Sequence, residues 1–211
     1  MALDLSMTDT VLRYAHVMSA ILWMGLLYFF NIIGGGFMKK IDALTKKEVY
    51  PKLYLPTLFW FRWAAMSTIV FGFLLYFLQV KNFGGADTWD FGGYAQTNWG
   101  IHLGIIIALT MWFNVWFIIW PAQKEIIGGM LGHNPSPPDN VPRRAFLASR
   151  YNTYASLPMI FLMIASPHWN RLTTSTSLGD VGLFLLIALI VLGIGWAIIA
   201  WKPPVNPWEK Q

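Results

Sequence analysis

Residues 181–201 read VGLFLLIALIVLGIGWAIIAW, an apolar run without a single ionisable side chain after Asp180. Wound as an α-helix at about 1.5 Å per residue, a stretch of this length covers about 30 Å, the thickness of a bilayer's hydrocarbon core. Four further stretches repeat the pattern, at about 11–33, 54–80, 100–121 and 145–167. Together the five use most of the 211 residues and leave no room for a separate soluble domain. The chain therefore reads as one transmembrane domain over 1–211, an all-α integral membrane bundle of about five helices. Composition agrees: 56% of residues are hydrophobic and 12% charged, about half the charged share of an ordinary soluble domain.

The sequence holds no cysteine. Disulfides, thiolate metal sites, iron–sulfur clusters and covalent CxxCH haem attachment are thereby excluded. The first apolar run follows Arg13, lacks an early small-residue cleavage site and exceeds the core of a signal peptide, so it is expected to be a retained helix.

Lysine and arginine are distributed unevenly. Lys39, Lys40, Lys46, Lys47 and Lys52 fall between the first two spans, Lys124, Arg143 and Arg144 between the third and fourth, and Lys202 and Lys210 after the fifth. The alternate connections hold only Arg13, Lys81 and Arg171. The positive-inside rule then puts the N-terminus outside and the C-terminus in the cytoplasm. The net charge of +5 is mostly inner-loop charge, which suits anionic lipid and gives no reason to invoke nucleic acid. Between 81 and 100, glycines and aromatics point to a folded interfacial cap, whereas the prolines of Gly128–Pro142 point to a turn-rich inner loop.

Three of the four histidines, His16, His102 and His168, sit at the outer ends of three different spans, and one shared depth is expected for them. His133 lies in the inner loop and stands apart. Imidazole is a common haem ligand, and an axial pair on different helices is a usual way to hold haem b. Taken singly, each also reads as an interfacial histidine bonding water or headgroups. Zinc or copper would accept the same donors. However, no aspartate or glutamate lies within the spans as drawn, and Met18 and Met163 offer no ligand spacing, so haem is the favoured cofactor. His16 is the deepest of the three, with Ala20 and Trp23 on its face of the helix.

A second polar set lies toward the inner side: Arg62 between Trp60 and Trp63, Asn114, and Arg150 with Asn152. An arginine this deep must face protein or snorkel. Arg62 reads equally as an anion pocket, for a haem propionate or a quinone carbonyl, and as a packing residue shielded by tryptophan. Arg150 reads as a snorkelling anchor.

Four strings, HVMSAILWMGLLYFFN, FWFRWAAM, NVWFIIWPAQKEIIG and SRYNTYASLPMIFLMIASPHW, occur in this order. In them the chain resembles, over most of 12–169, the N-terminal membrane domain of bacterial membrane-bound urate oxidases. Asn114, Pro121, Gln123, Lys124, Asn152, Pro158 and His168 carry the likeness most specifically. The first string is also distantly similar to copper-resistance-D-like and protoporphyrinogen-oxidase-like membrane haem proteins, which implies His16 as a haem ligand. The urate oxidase family carries a C-terminal cytochrome c domain, and this sequence has no CxxCH. The resemblance implies a haem-bearing membrane module whose cytochrome partner is a separate chain.

The function expected is electron transfer through one or two haem b groups near the outer face, as a subunit of a respiratory or similar redox complex rather than a self-sufficient enzyme. His16 would ligate iron with His168 or His102, and Arg13 and Arg171 would meet the propionates. Its expected partners are other membrane subunits, lipid and a c-type cytochrome or similar outer-face carrier. Two alternatives stand beside this: a non-redox accessory subunit, and a small-molecule oxidase module acting on a urate-like substrate.

Overall fold

A backbone crossing hydrocarbon must satisfy its own N–H and C=O groups, and the helix is the local way to do so. The computed structural model describes residues 5–84, 89–168 and 177–200. Among these residues every regular element is helical: α1 (Leu5–Tyr28), α2 (Gly35–Lys40), α3 (Ala43–Val49), α4 (Leu55–Gly84), α5 (Phe91–Thr97), α6 (Trp99–Phe113), α7 (Trp120–Leu131), α8 (Asn140–His168) and α9 (Leu178–Ala200). Three π-helical stretches, Phe29–Gly34, Tyr50–Tyr54 and Asn114–Ile119, fuse α1 to α2, α3 to α4 and α6 to α7. The result is three continuous rods, joined by α8 and α9.

Four of these units are long and apolar enough to cross a membrane: Ser6–Lys40, Ala43–Phe83, Trp99–Leu131 and Leu178–Ala200. They mark the chain as a membrane protein. The fourth expected span, α8, is equally long but does not meet that measure by its own composition. It carries Arg143, Arg144 and Arg150, together with a buried polar face.

The rods also outrun the apolar stretches that announce them. The second is 41 residues long, about 60 Å at helical rise and about twice the hydrocarbon core. Hydropathy reports only the part that suits lipid, whereas the backbone ladder continues into the polar ends. Likewise α7 runs on to Leu131, into the stretch expected to be loop. Gly132 stops it with a left-handed φ of 79°, donating its N–H to the Gly128 and Gly129 carbonyls. Pro121 does not break this rod, because it falls in the first turn after the π stretch.

The rods pack antiparallel around one apolar cluster: Trp23, Met24 and Leu27 of α1, Phe61, Ala64 and Ala65 of α4, Ala108 and Met111 of α6, Val115 and Ile119 of the third π stretch, and Ala148 and Met159 of α8. Four alanines among these leave volume for the fully buried indole of Trp23. A smaller cluster of Leu162, Ala165 and Phe184 attaches α9, whose remaining described residues are not buried.

Two close fits tie local sequence to this packing. At the first, a Cβ built on Gly34 would lie 2.5 Å from the Tyr54 hydroxyl, so only glycine admits the crossing of the first two π stretches. Gly34→Ala should cost about 1–3 kcal/mol through overpacking. A thermal melt in detergent should register that loss, and adding Tyr54→Phe should recover part of it.

At the second, Asp42 caps α3, accepting from the Leu44 and Thr45 amides at 2.8 and 3.0 Å and from the Thr45 hydroxyl at 2.6 Å. Those donors, the Thr45 hydroxyl foremost, hold its carboxyl down from 3.8 to about 2. A depressed folded value means that the cap is complete above 3.8 and is lost as pH falls through 2. A carboxyl NMR titration should find the Asp42 midpoint near 2, and Thr45→Ala should move it upward.

Candidate functional site

All three outer histidines donate Nδ1–H to a main-chain carbonyl. His16 reaches across to Thr68 O of α4 at 2.9 Å, His102 to Asn98 O at 2.8 Å and His168 to Ile164 O at 2.9 Å. A carbonyl only accepts, so in the neutral ring each bond fixes the proton on Nδ1 and leaves the Nε2 lone pair. Beneath the His16 ring lies Gly72, where a Cβ would stand 3.0 Å from His16 Cε1. A glycine on the facing helix thus makes room for the His16 imidazole.

The three Nε2 atoms differ in their surroundings. At His102, Nε2 accepts from the Tyr76 hydroxyl at 3.0 Å, and the ring stands edge-on to Tyr76 and Tyr94. Burial, with a smaller contribution from Tyr76, raises the Tyr94 phenol above its usual value and keeps it neutral there. The Nε2 atoms of His16 and His168 have no partner among the described residues. His168 lines an apolar cavity of about 610 Å³ between α8 and α9, with Phe161 and Ile164 below it.

Instead of one shared anchoring level, His16 and His102 engage α4 at Thr68 and Tyr76, eight residues or about 12 Å of helix rise apart. Among the described residues no group of three histidine or acidic side chains comes within reach of a single metal ion.

The expected arginines have defined surroundings, except Arg171, which lies outside the described residues with Lys202 and Lys210. Arg13 is bound bidentately by Asp9, Nε and Nη2 donating at 2.8 and 2.9 Å. Gln79 Nε2 of α4 donates to the same carboxylate at 2.6 Å. This carboxylate sits in α1 because the helix starts at Leu5, six residues before the apolar run that was read as the span.

Arg62 meets its cation–π partners across the bundle, on the third rod. Its guanidinium carbon lies 3.8 Å from the Trp120 ring centroid and 5.1 Å from that of Trp116. The neighbours expected to flank it, Trp60 and Trp63, are 58% and 46% exposed. Successive residues on a helix point in different directions, so sequence adjacency misassigned the partners. Its Nε and the indole N–H groups of Trp23, Trp112 and Trp116 are buried donors without an acceptor among the described residues. Arg150 is held by its own helix, donating from Nη2 to the Tyr154 hydroxyl and lying over that ring.

At the bundle's centre, Asn114 Nδ2 donates to Asn152 Oδ1 at 2.9 Å, and Asn152 Nδ2 donates to Met111 O at 2.9 Å. Asn31 and Tyr28 make the matching contacts from the first rod, to Ser149 and Ser156 at 2.8 Å each. Helical spacing brings Ser149, Asn152, Thr153 and Ser156 onto one face of α8. These partners escape a sequence reading because Thr68, Gly72 and Tyr76 carry no special motif. Only the pairing of rods singles them out.

Residues 91–201, more than half of the chain, match the family model described as urate oxidase N-terminal. The chain belongs to that family. Of the four strings carrying the resemblance, the third and fourth lie within the matched residues, as do His102 and His168; His16 and Arg62 precede them. No curated protein and no solved structure gave a match.

Asn152 ties α8 to the third rod through two bonds and Asn114 through one, so Asn152→Ala should lower stability by about 1–2 kcal/mol and Asn114→Ala by less. Thermal melts of both variants in the same detergent check the order.

Proposed function

We infer that this chain is a membrane haem b module that passes electrons near one face of the bilayer within a larger redox complex. The observation that carries this reading is the common Nδ1–H to carbonyl bond, which presents Nε2 as the ligand atom in the way metal-binding histidines are usually oriented. His16 has in addition a seat against Gly72 and an Nε2 without a partner among the described residues, so it would be the first residue to hold the haem iron. His168, whose Nε2 is also unpartnered, is favoured over His102, whose Nε2 would have to give up the Tyr76 hydroxyl. Bound haem supplies a one-electron ferric/ferrous couple. The protein's part is to fix ring orientation through Thr68 and Ile164, and to exclude water with its apolar surroundings.

Arg62 retains an unpartnered donor for a propionate or carbonyl oxygen, whereas Arg13 is already engaged by Asp9. The orientation given by the lysine and arginine distribution puts the histidine end outside, facing a c-type cytochrome or similar carrier. The lightly buried α9 offers a face to a neighbouring subunit or to lipid. Membership of the urate oxidase N-terminal family supports a second reading, a module that oxidises a urate-like substrate.

A reduced-minus-oxidised spectrum of the purified, haem-replete protein should show a b-type α-band. His16→Ala and His168→Ala should abolish it, His102→Ala should keep it, and Gly72→Leu should weaken it by crowding the His16 ring. An intact haem-replete protein without that band sinks the electron-transfer reading. Reduction of the band by added urate distinguishes the oxidase from a simple carrier.

A further inference from the structure

At the opposite end from the histidines, the third rod and α8 diverge to leave a groove of about 900 Å³. Its walls are apolar, chiefly Leu109, Phe113, Ile118 and Leu147, and Phe113 and Leu147 are more than half exposed, so the groove opens sideways toward the acyl chains. At its mouth stand Arg143 and Arg144, near the start of α8. Both are exposed, and neither side chain has a partner among the described residues. Asp139, the carboxylate nearest in sequence, pairs with neither and leaves the mouth net positive.

We propose that this groove is a binding site for one anionic phospholipid, its phosphate held by Arg143 and Arg144 and one acyl chain lying along Phe113 and Leu147. The spacing suits an elongated amphiphile. Arg144, Leu147, Ala148 and Tyr151 form one stripe of α8, with Arg144 and Tyr151 about 10 Å of helix rise apart. That hydroxyl is already engaged with Thr110 at 3.2 Å, so the far end offers no free polar group and suits a hydrocarbon tail rather than a second charged group. Guanidinium forks match phosphate oxygens bidentately, and basic pockets between helices at a membrane face select acidic headgroups. The site is independent of any cofactor.

Native mass spectrometry in detergent, titrating phosphatidylglycerol against phosphatidylcholine of the same acyl chains, tests the assignment. The unaltered protein should retain phosphatidylglycerol at least tenfold more strongly. The double variant Arg143→Gln/Arg144→Gln should lose that preference, and Leu147→Trp, which fills the groove without changing charge, should lower retention of phosphatidylglycerol. Lys39→Gln/Lys40→Gln, on the same face but outside the groove, should keep the preference. Circular dichroism of each variant checks that helicity is unchanged. Equal retention of the two lipids, a preference lost equally in the lysine variant, or a quinone displacing phosphatidylglycerol from the groove would each overturn the proposal.

Discussion

The buried hydrogen bonds of α8 are the constraint on which the bundle depends. Ser149, Asn152, Thr153 and Ser156 line one face of a helix that is too polar to cross hydrocarbon on composition alone. Without water, each of those groups must find a partner in protein, and an unsatisfied one costs free energy. Asn31 and Tyr28 supply partners from the first rod, and Asn114 and the Met111 carbonyl from the third. The helix is accepted into the bundle because its neighbours complete it. The rotation and depth of the first and third rods are fixed by the same bonds.

The π stretches belong to this arrangement. A π turn widens the helix and frees backbone groups from the regular ladder. Asn31 lies in one such turn and Asn114 opens another, and both reach α8. The second π stretch brings Tyr54 onto Gly34, where the absence of a side chain lets the rods close. Polar groups and small residues therefore do the work of association, as expected where the surrounding lipid is as apolar as leucine and gives no hydrophobic drive between helices.

The two ends of the molecule differ in chemistry. One carries histidines oriented by carbonyls, an Asp9–Arg13–Gln79 cluster and phenols around His102. The other carries the lysines of the first connection, Arg143 and Arg144 without side-chain partners among the described residues, and an indole-shielded Arg62. In a bilayer, such asymmetry distinguishes the two faces, the basic one being suited to acidic headgroups.

Much of this was determined by sequence alone. Long apolar runs admit no fold but helices in lipid, so the helical membrane class, the apolar rod of α9 and the family were all readable from composition, periodicity and the third and fourth strings. The histidines and Arg62 could be singled out because ionisable groups are rare in such runs. Sequence could not say which atoms those side chains would meet, because their partners lie far away in the chain: Thr68 for His16, Trp116 and Trp120 for Arg62, Asp9 for Arg13 only once α1 was seen to begin at Leu5. Nor could hydropathy mark where the rods end, since backbone hydrogen bonding continues beyond the hydrocarbon. Tertiary structure decided those matters, because the register between antiparallel helices is set by sparse polar bonds and glycine contacts, and no local pattern encodes it.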